Sequence, residues 1–383
     1  MGRGQGVKFV RKGLILLTLS AFSIQAREYY DLFSTPRSIA MGRATTAITD
    51  DWEALYHNPA GLALIKESEL HLPEFFQGYA SPGVNTLIKK IKEVKGQGRD
   101  IIPSDLTQFD GSEAAFGLDI LPLGYYRNRF AIAINPFSLN TALRIRTPSL
   151  LFLKAGARVT QDSAISVGFA QPLGEHLRVG VTARPLHLRS GMDRGVSNLD
   201  SLENSSITNF DDPKTYFGMG WGYDLDFGIQ AHGGPWGRFG FVPSFGAALQ
   251  NILNNDFSNR LNKEKFGGSI PAIERRYNVG VAAQLKTLGK LVPTLSVEMR
   301  DFMIAVEDPI IERLSVGLEL ALEVKRWLRG AIAAHYYKGN IGGGIYGNMG
   351  PGNLAFLTDA VNLGRGAGVG VSRRYYLRAG MVW

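Results

Sequence analysis

The run Arg313-Leu314-Ser315-Val316-Gly317-Leu318-Glu319-Leu320-Ala321-Leu322-Glu323 puts Leu or Val at every even position, and charged, polar or small residues at every odd one. Successive side chains of a β-strand leave on opposite faces, so this stretch has one apolar side and one wet side. The split recurs where Tyr277, Val279, Val281, Ala283 and Leu285 oppose Arg276, Asn278, Gly280, Ala282, Gln284 and Lys286. It recurs again where Trp221, Tyr223, Leu225, Phe227 and Ile229 oppose Gly222, Asp224, Asp226, Gly228 and Gln230. Further runs start near Ala114, Phe130, Leu151, Ala164, Leu177, Phe239, Leu291, Leu328, Leu354 and Val369. Most are roughly nine to thirteen residues long, the length a tilted strand needs to cross a bilayer.

Short polar links such as Arg127-Asn128-Arg129 and Gln161-Asp162-Ser163 read as hairpin turns, and they alternate with longer polar stretches over 193–214 and 254–270. Short turns at one rim and long loops at the other are the pattern of an outer-membrane barrel. The expected fold is therefore all-β: a transmembrane antiparallel outer-membrane β-barrel of about fourteen strands. A soluble β-sandwich also alternates, burying one face of each strand against a second sheet. Strand length, the first residues and the last residues favour the barrel.

The chain starts with Arg3, Lys8, Arg11 and Lys12, follows with an apolar run from Leu14 to Ile24, and then has Gln25-Ala26. That order reads as a cleavable signal peptide over 1–26, too short in its apolar part to span a bilayer as a helix. Ile24 is not the ideal small residue before the cut, which leaves cleavage after Ser23 as an alternative. Setting the four basic groups of this segment aside leaves 38 basic against 34 acidic residues from the totals of 42 and 34, so the net charge of +8 offers little support for nucleic-acid binding. The absence of Cys removes thiolate chemistry and Cys-ligated metals together. With 45% hydrophobic residues, 46 Gly and 10% aromatics, the composition suits a large β-structure with many tight turns.

At the other end Tyr375, Leu377, Ala379, Met381 and Trp383 alternate and finish on an aromatic residue. This series resembles the assembly signal by which outer-membrane proteins reach their assembly machinery, and Tyr375, Leu377, Met381 and Trp383 are its expected positions. A charge at the bilayer midplane costs roughly 2–4 kcal/mol, so the polar faces must line a lumen. Arg313, Glu319, Arg329, His335, Asp224 and Asp226 are the expected lining residues. Because many inward positions are Gly, Ala or Ser, the interior has room for an inserted plug or a passage.

Residues 38–64 are unlike the barrel: Gly42-Arg43-Ala44, then Asp50-Asp51, then Asn58-Pro59-Ala60-Gly61-Leu62. A Gly-Xaa-Ala element, an acidic pair and an Asn-Pro-Ala-Gly-Leu box at this spacing resemble the N-terminal hatch of the FadL-like (long-chain fatty-acid transporter) superfamily and its PorV-like relatives. Phe245-Gly246-Ala247-Ala248-Leu249-Gln250-Asn251 is also similar to strand ends in that group. The resemblance implies a plug over 27–68 inside a barrel over 69–383, with Gly42, Ala44, Asp50, Asp51, Asn58, Pro59, Ala60 and Gly61 as its marked positions. Independently of any family, Pro59 removes a donor and pushes Asn58 to an extended or turn conformation, Asn58 can bond its downstream backbone, and Gly61 permits a reversal. This is foremost a structural turn seating the plug, and alternatively a hinge.

Other motifs carry less. Lys89-Lys90-Ile91-Lys92 sits in a short predicted helix, which either packs on the rim or lumen or touches a lipopolysaccharide surface. The glycines over 342–352 and 364–370 lack a Walker lysine and read as turns and strand kinks. The six His (His57, His71, His176, His187, His232 and His335) show no zinc spacing. Asp224 and Asp226 share a face as paired carboxylates could for acid–base work, though a hydrated lumen or calcium contact is the simpler reading.

The expected function is passage of hydrophobic or amphipathic, fatty-acid-like small molecules across the outer membrane by plug movement, with no catalysis, no cofactor, no metal and no nucleic-acid partner. Expected partners are outer-membrane lipids and lipopolysaccharide, the assembly machinery and a hydrophobic small-molecule ligand. The alternative is a PorV-like scaffold or shuttle for exported proteins, and a lipolytic barrel comes third.

Overall fold

The alternating runs pair edge to edge in the computed structural model, which describes residues 34–381 except 67, 72–75, 99–112, 121, 150–151, 197–216, 238–239, 262–267, 269, 286–289, 303–309, 326–327, 351 and 363–370. The signal peptide, the glycines over 364–370 and Trp383 lie outside the described residues.

The strand segments in chain order are β1 (Glu69–His71), β2 (Phe76–Ala80), β3 (Glu113–Ile120), β4 (Leu123–Arg127), β5 (Phe130–Ser149), β6 (Phe152–Leu173), β7 (Leu177–Val196), β8 (Gly218–His232), β9 (Phe241–Gln250), β10 (Asn259–Arg260), β11 (Arg276–Leu285), β12 (Leu291–Met299), β13 (Leu314–Lys325), β14 (Leu328–Tyr337), β15 (Asn340–Met349), β16 (Gly352–Asn362) and β17 (Val371–Met381). β1 and β2 pair in turn with β4 and β3, which both lie along β5, so these four segments make two wall strands. β10 is a two-residue addition to β8. Every other segment pairs antiparallel with its sequence neighbours, β8 joins β9 and β9 joins β11. β17 then returns to β2, with Tyr375 opposite Ala80, and closes the wall. The result is a closed antiparallel barrel of fourteen strands.

Closure leaves no unpaired edge, and the pleat does the rest. Outward positions are greasy and bare: Leu318 is 54% exposed, Ile332 64% and Leu354 68%. Inward neighbours such as Glu319, His335 and Asn353 are buried. A belt of that kind would be untenable in water and matches the lipid-facing band of a membrane barrel. Among the described residues no helix is long and apolar enough to cross a membrane.

Several expectations are corrected here. Gln161-Asp162-Ser163 is no turn: it lies in the middle of β6, and the runs near Leu151 and Ala164 are one strand. The polarity there belongs to the inward face, where Asp162 is buried against Arg189 and His187. β5, β6 and β7 have 20, 22 and 20 residues, which at about 3.3 Å per residue is far more than a bilayer requires, so these strands project beyond it. Of the glycines read as turns and strand kinks, Gly342 to Gly347 lie in strand β15. β2 and β15 were not anticipated, and they offset the strand wrongly split in two, so the expected count holds for partly compensating reasons. The two rims differ as expected, with Asn128-Arg129 a tight turn, although Lys338-Gly339 is a tight link on the long-loop rim. The lysines Lys89, Lys90 and Lys92 fall in a helix, Pro82–Gly96, on that same rim.

Candidate functional site

Residues 34–66 form no wall strand; they lie against inward positions contributed by strands all round the barrel. Their local structure follows from caps. Thr35 caps the helix Pro36–Ala40 in a reciprocal box with Ser38, with Pro36 at the first helical position. Gly42 then turns the chain at φ +61, where a Cβ would also press on His335. Asp51 caps the 3-10 turn Trp52–Leu55 by accepting from Glu53 N. Asn58 caps the 3-10 turn Pro59–Leu64, accepting from Ala60 N at 3.2 Å, as the sequence suggested. Gly61 is needed for another reason than reversal: a Cβ there would overlap the Thr49 carbonyl.

Side chains of the wall hold this segment by its backbone. Asn58 Nδ2 donates to Thr46 O at 2.8 Å and across to Ile229 O of β8 at 2.9 Å. Gln230 Nε2 donates to Ala47 O and Thr49 O, and Gln250 Nε2 to Tyr56 O and His57 O. Thr182 Oγ1 donates to Leu55 O, and Glu298 accepts from Thr46 N. Inward glycines give the segment its space: a Cβ on Gly228 would overlap Asn58, one on Gly246 the Thr46 carbonyl, and one on Gly317 the Met41 carbonyl. Apolar residues complete the seat, since Trp52, Leu55 and Leu62 cluster with Tyr126, Ala131 and Ala170 of the wall. Backbone groups buried away from water must find partners, and here the wall supplies them.

Charges are paired across the same boundary. Arg37 donates to Glu319 at 3.1 and 3.2 Å and to Asp50 at 2.8 Å, and the Tyr346 hydroxyl also bonds Glu319. Arg43 donates to Asp359 at 2.7 Å, and His335 lies between Ala40 O (3.0 Å) and Asp359 (3.3 Å). Burial, and after it the neighbouring Asp50, raises the Asp51 carboxyl to about 6. Burial and the nearby Asp51 hold Glu53 well above the usual carboxylate range.

The marked residues are therefore brought together by the fold in two groups. Gly42, Ala44, Asn58, Pro59, Ala60 and Gly61 are buried in the segment, with Asp50 and Asp51 at its more open side. Glu319 and His335 are buried beneath it; Arg329 shares the inward face of β14 with His335 but is exposed, and Arg313, expected on the strand, instead ends the short helix Ile310–Arg313 that precedes β13. Asp224 and Asp226 sit elsewhere: Arg184 takes both oxygens of Asp226 at 2.6 Å, and Asp224 accepts from Leu225 N and Leu253 N. With a guanidinium in that position they are structural anchors, not a calcium or acid–base pair. Among the described residues no His/Asp/Glu group could hold a metal ion. Tyr375 and Leu377 face outward on the closing strand.

Gln230, Gln250, Thr182, Glu298 and Asp359 were missed. Their only signal in sequence was an inward position on an alternating strand, which does not say what they would meet.

On the short-turn side of the segment a cavity of about 1240 Å³ opens, lined by Trp52, Leu64, Ile65, Val292 and Ala331 together with Lys66, Glu69, Arg329 and Arg378. Arg378 stacks on the Trp52 ring at 5.7 Å.

Compared by sequence, the chain matches no family model and no curated protein. Compared by structure, 91% of it is similar to 97% of a deltaS2 mutant of the monoaromatic hydrocarbon channel TodX, at a TM-score of 0.49 and 10% identity. It is also similar to the Ralstonia pickettii toluene transporter TbuX, over 91% of this chain and 98% of that one, at a TM-score of 0.43 and 10% identity. A Pseudomonas aeruginosa FadL homologue aligns over 94% and 99%, at a TM-score of 0.33 and 8% identity. At such identity no residue role is carried over from them.

Proposed function

We propose that the chain passes hydrophobic or amphipathic small molecules across the outer membrane, with residues 34–66 acting as a displaceable hatch. The observation that carries this reading is the way the segment is held. Among the described residues no strand pairing ties it to the wall; side chains reaching its backbone, two clusters of ion pairs, an apolar cluster and one backbone bond from Arg129 N to Leu62 O do. Each such bond contributes about 0.5–1.5 kcal/mol net, so the seat comes apart bond by bond without unravelling the sheet. The cavity beneath it mixes apolar wall with both cationic and acidic groups, which suits a molecule with a greasy body and a polar end.

Movement of palmitate or toluene would run down its gradient and needs no cofactor. The test is uptake of radiolabelled palmitate and toluene by cells with an intact outer membrane. Cells bearing the gene should take up at least one of them several-fold faster than cells lacking it, and the double substitution Asn58→Ala, Pro59→Ala should alter the rate. Equal uptake of both probes with and without the gene sinks the reading. Native detergent pull-down from the same cells, if it recovered exported proteins in stoichiometric amount, would replace it with the scaffold alternative.

A further inference from the structure

We propose that the cavity on the short-turn side of the 34–66 segment binds the protonated amine of an amphiphile, with the Glu53 carboxylate as the counter-ion that receives it. Glu53 lines that cavity and is only 3% exposed. Its backbone is fully used, the N–H in the Asp51 cap and the carbonyl by Tyr56 N and His57 N. Its carboxylate, by contrast, makes no hydrogen bond or ion pair among the described residues. Glu is almost never buried without a partner, because a charge or carboxyl removed from water loses its hydration and regains nothing. A ligand that brings a cationic donor restores what burial took away.

The other charges of the cavity are already matched or lie in water. Arg37 is shared between Glu319 and Asp50, and the Tyr346 hydroxyl also bonds Glu319. Arg378 lies over the Trp52 ring at 5.7 Å and reaches Glu53 through its field alone. Glu69 meets His71 at 3.0 Å, and Asp51 Oδ1 accepts from Glu53 N. Lys66 and Arg329 are exposed, so an anionic head would displace their water for little gain. Burial therefore selects the sign of the head group. Among the described residues no His/Asp/Glu group could hold a metal ion, which leaves an organic cation. Its body has room: at about 1240 Å³ the cavity exceeds the roughly 300–1,000 Å³ of an ordinary small-molecule site, and Leu64, Ile65, Val292 and Ala331 give it an apolar lining. Burial, then Asp51 and more weakly Asp50, hold the Glu53 carboxyl well above the usual carboxylate range. In acid it carries a proton that an incoming ammonium must displace, so amine binding strengthens as pH rises.

This deepens the transport reading by naming the head group and rests on that reading for passage, whereas binding is measured on purified protein and stands apart from it. Hexylamine, hexanoate and hexanol share one chain and differ in the head. In equilibrium dialysis against folded protein in a non-ionic detergent, hexylamine should bind about tenfold or more tightly than either of the others, the worth of one charge-assisted bond. Its affinity should rise about tenfold from pH 5 to pH 8, a range in which an alkylammonium with a pKa of about 10 keeps its charge. Glu53→Gln, checked for protease protection of 34–66, should abolish the preference for hexylamine over hexanol and flatten the pH profile. Hexanoate binding as tight as hexylamine, no saturable hexylamine binding, or a preference that survives Glu53→Gln overturns the site. If Glu53→Gln unseats the segment, the head-group preference and pH profile of the natural chain decide. Should hexylamine bind as expected while cells with and without the gene take up palmitate and toluene equally, the site stands and the transport reading falls.

Discussion

Asn58 shows how much one side chain can do once its surroundings are known. Its Nδ2 joins Thr46 O to Ile229 O, and its Oδ1 caps the following 3-10 turn. Asn58→Ala should lower the stability of the seated segment by about 2 kcal/mol, combining a lost cap with the loss of both bonds donated by Nδ2. Protease sensitivity of 34–66 in folded barrels is the measure, and Asn58→Asp should be at least as sensitive, because its buried carboxylate would face the Thr46 and Ile229 carbonyls with no donor to offer. The acidic pair is a residue-scale switch of another kind. The Asp51 carboxyl sits at about 6 when seated and near 4 when the segment is free, because burial and Asp50 disfavour the ion. An acid raised on folding contributes stability that is present below about 4 and lost as pH rises through about 6. Asp51 keeps some contact with water, which screens the effect to a modest slope. Protease protection of the segment should therefore weaken from pH 5 to pH 7.5, and Asp51→Asn, which preserves the cap, should flatten that change.

At the scale of elements, the strands make the argument that side chains cannot. β8 was legible almost residue by residue, because Trp221 through Ile229 alternate without a break. β6 was not, since Asp162 in its centre looks like a turn residue until Arg189 and His187 are seen across from it on β7. β15 was read only as turns and strand kinks because Gly342, Gly343 and Gly344 carry no side-chain pattern at all, and pairing with β14 and β16 makes it a full strand. The inward glycines give a sharp element-level expectation. Gly228→Leu should leave the barrel closed while evicting the segment, because the new side chain occupies the position of Asn58. Trypsin should then cleave after Arg37 or Arg43 in a barrel that still migrates as folded, whereas Phe227→Leu on the lipid side of the same strand should change neither. Protection equal to the natural chain in Gly228→Leu would show that the segment is seated elsewhere.

For the whole molecule, the closed wall turns local alternation into a global property: one surface for lipid and one enclosed interior. A hairpin alone would be marginal, but fourteen paired strands without an edge resist detergent. The protein should therefore sediment with membranes and run faster on gels unheated than boiled. Recovery in the soluble fraction of broken cells, with no such heat-dependent shift, would contradict the fold. The interior also explains why charge was so hard to read from composition. Arg37, Arg43, Arg184 and Arg189 are each matched to a carboxylate inside the barrel, so they say nothing about an external anionic partner.

By itself the sequence determined the two faces of the wall, since a period of two residues is written in the order of apolar and polar side chains and needs no partner to be read. It likewise contained the caps of the inner segment, because Thr35, Asp51 and Asn58 act on backbone within three residues of themselves, although only that of Asn58 was read from it. Which wall residue meets which part of the interior was decided only by tertiary structure. Gln230 finds Ala47, Glu319 finds Arg37 and Asp359 finds Arg43 across separations of 183, 282 and 316 residues. Those meetings depend on strand register and barrel closure, which are collective and leave no mark on any one stretch of chain.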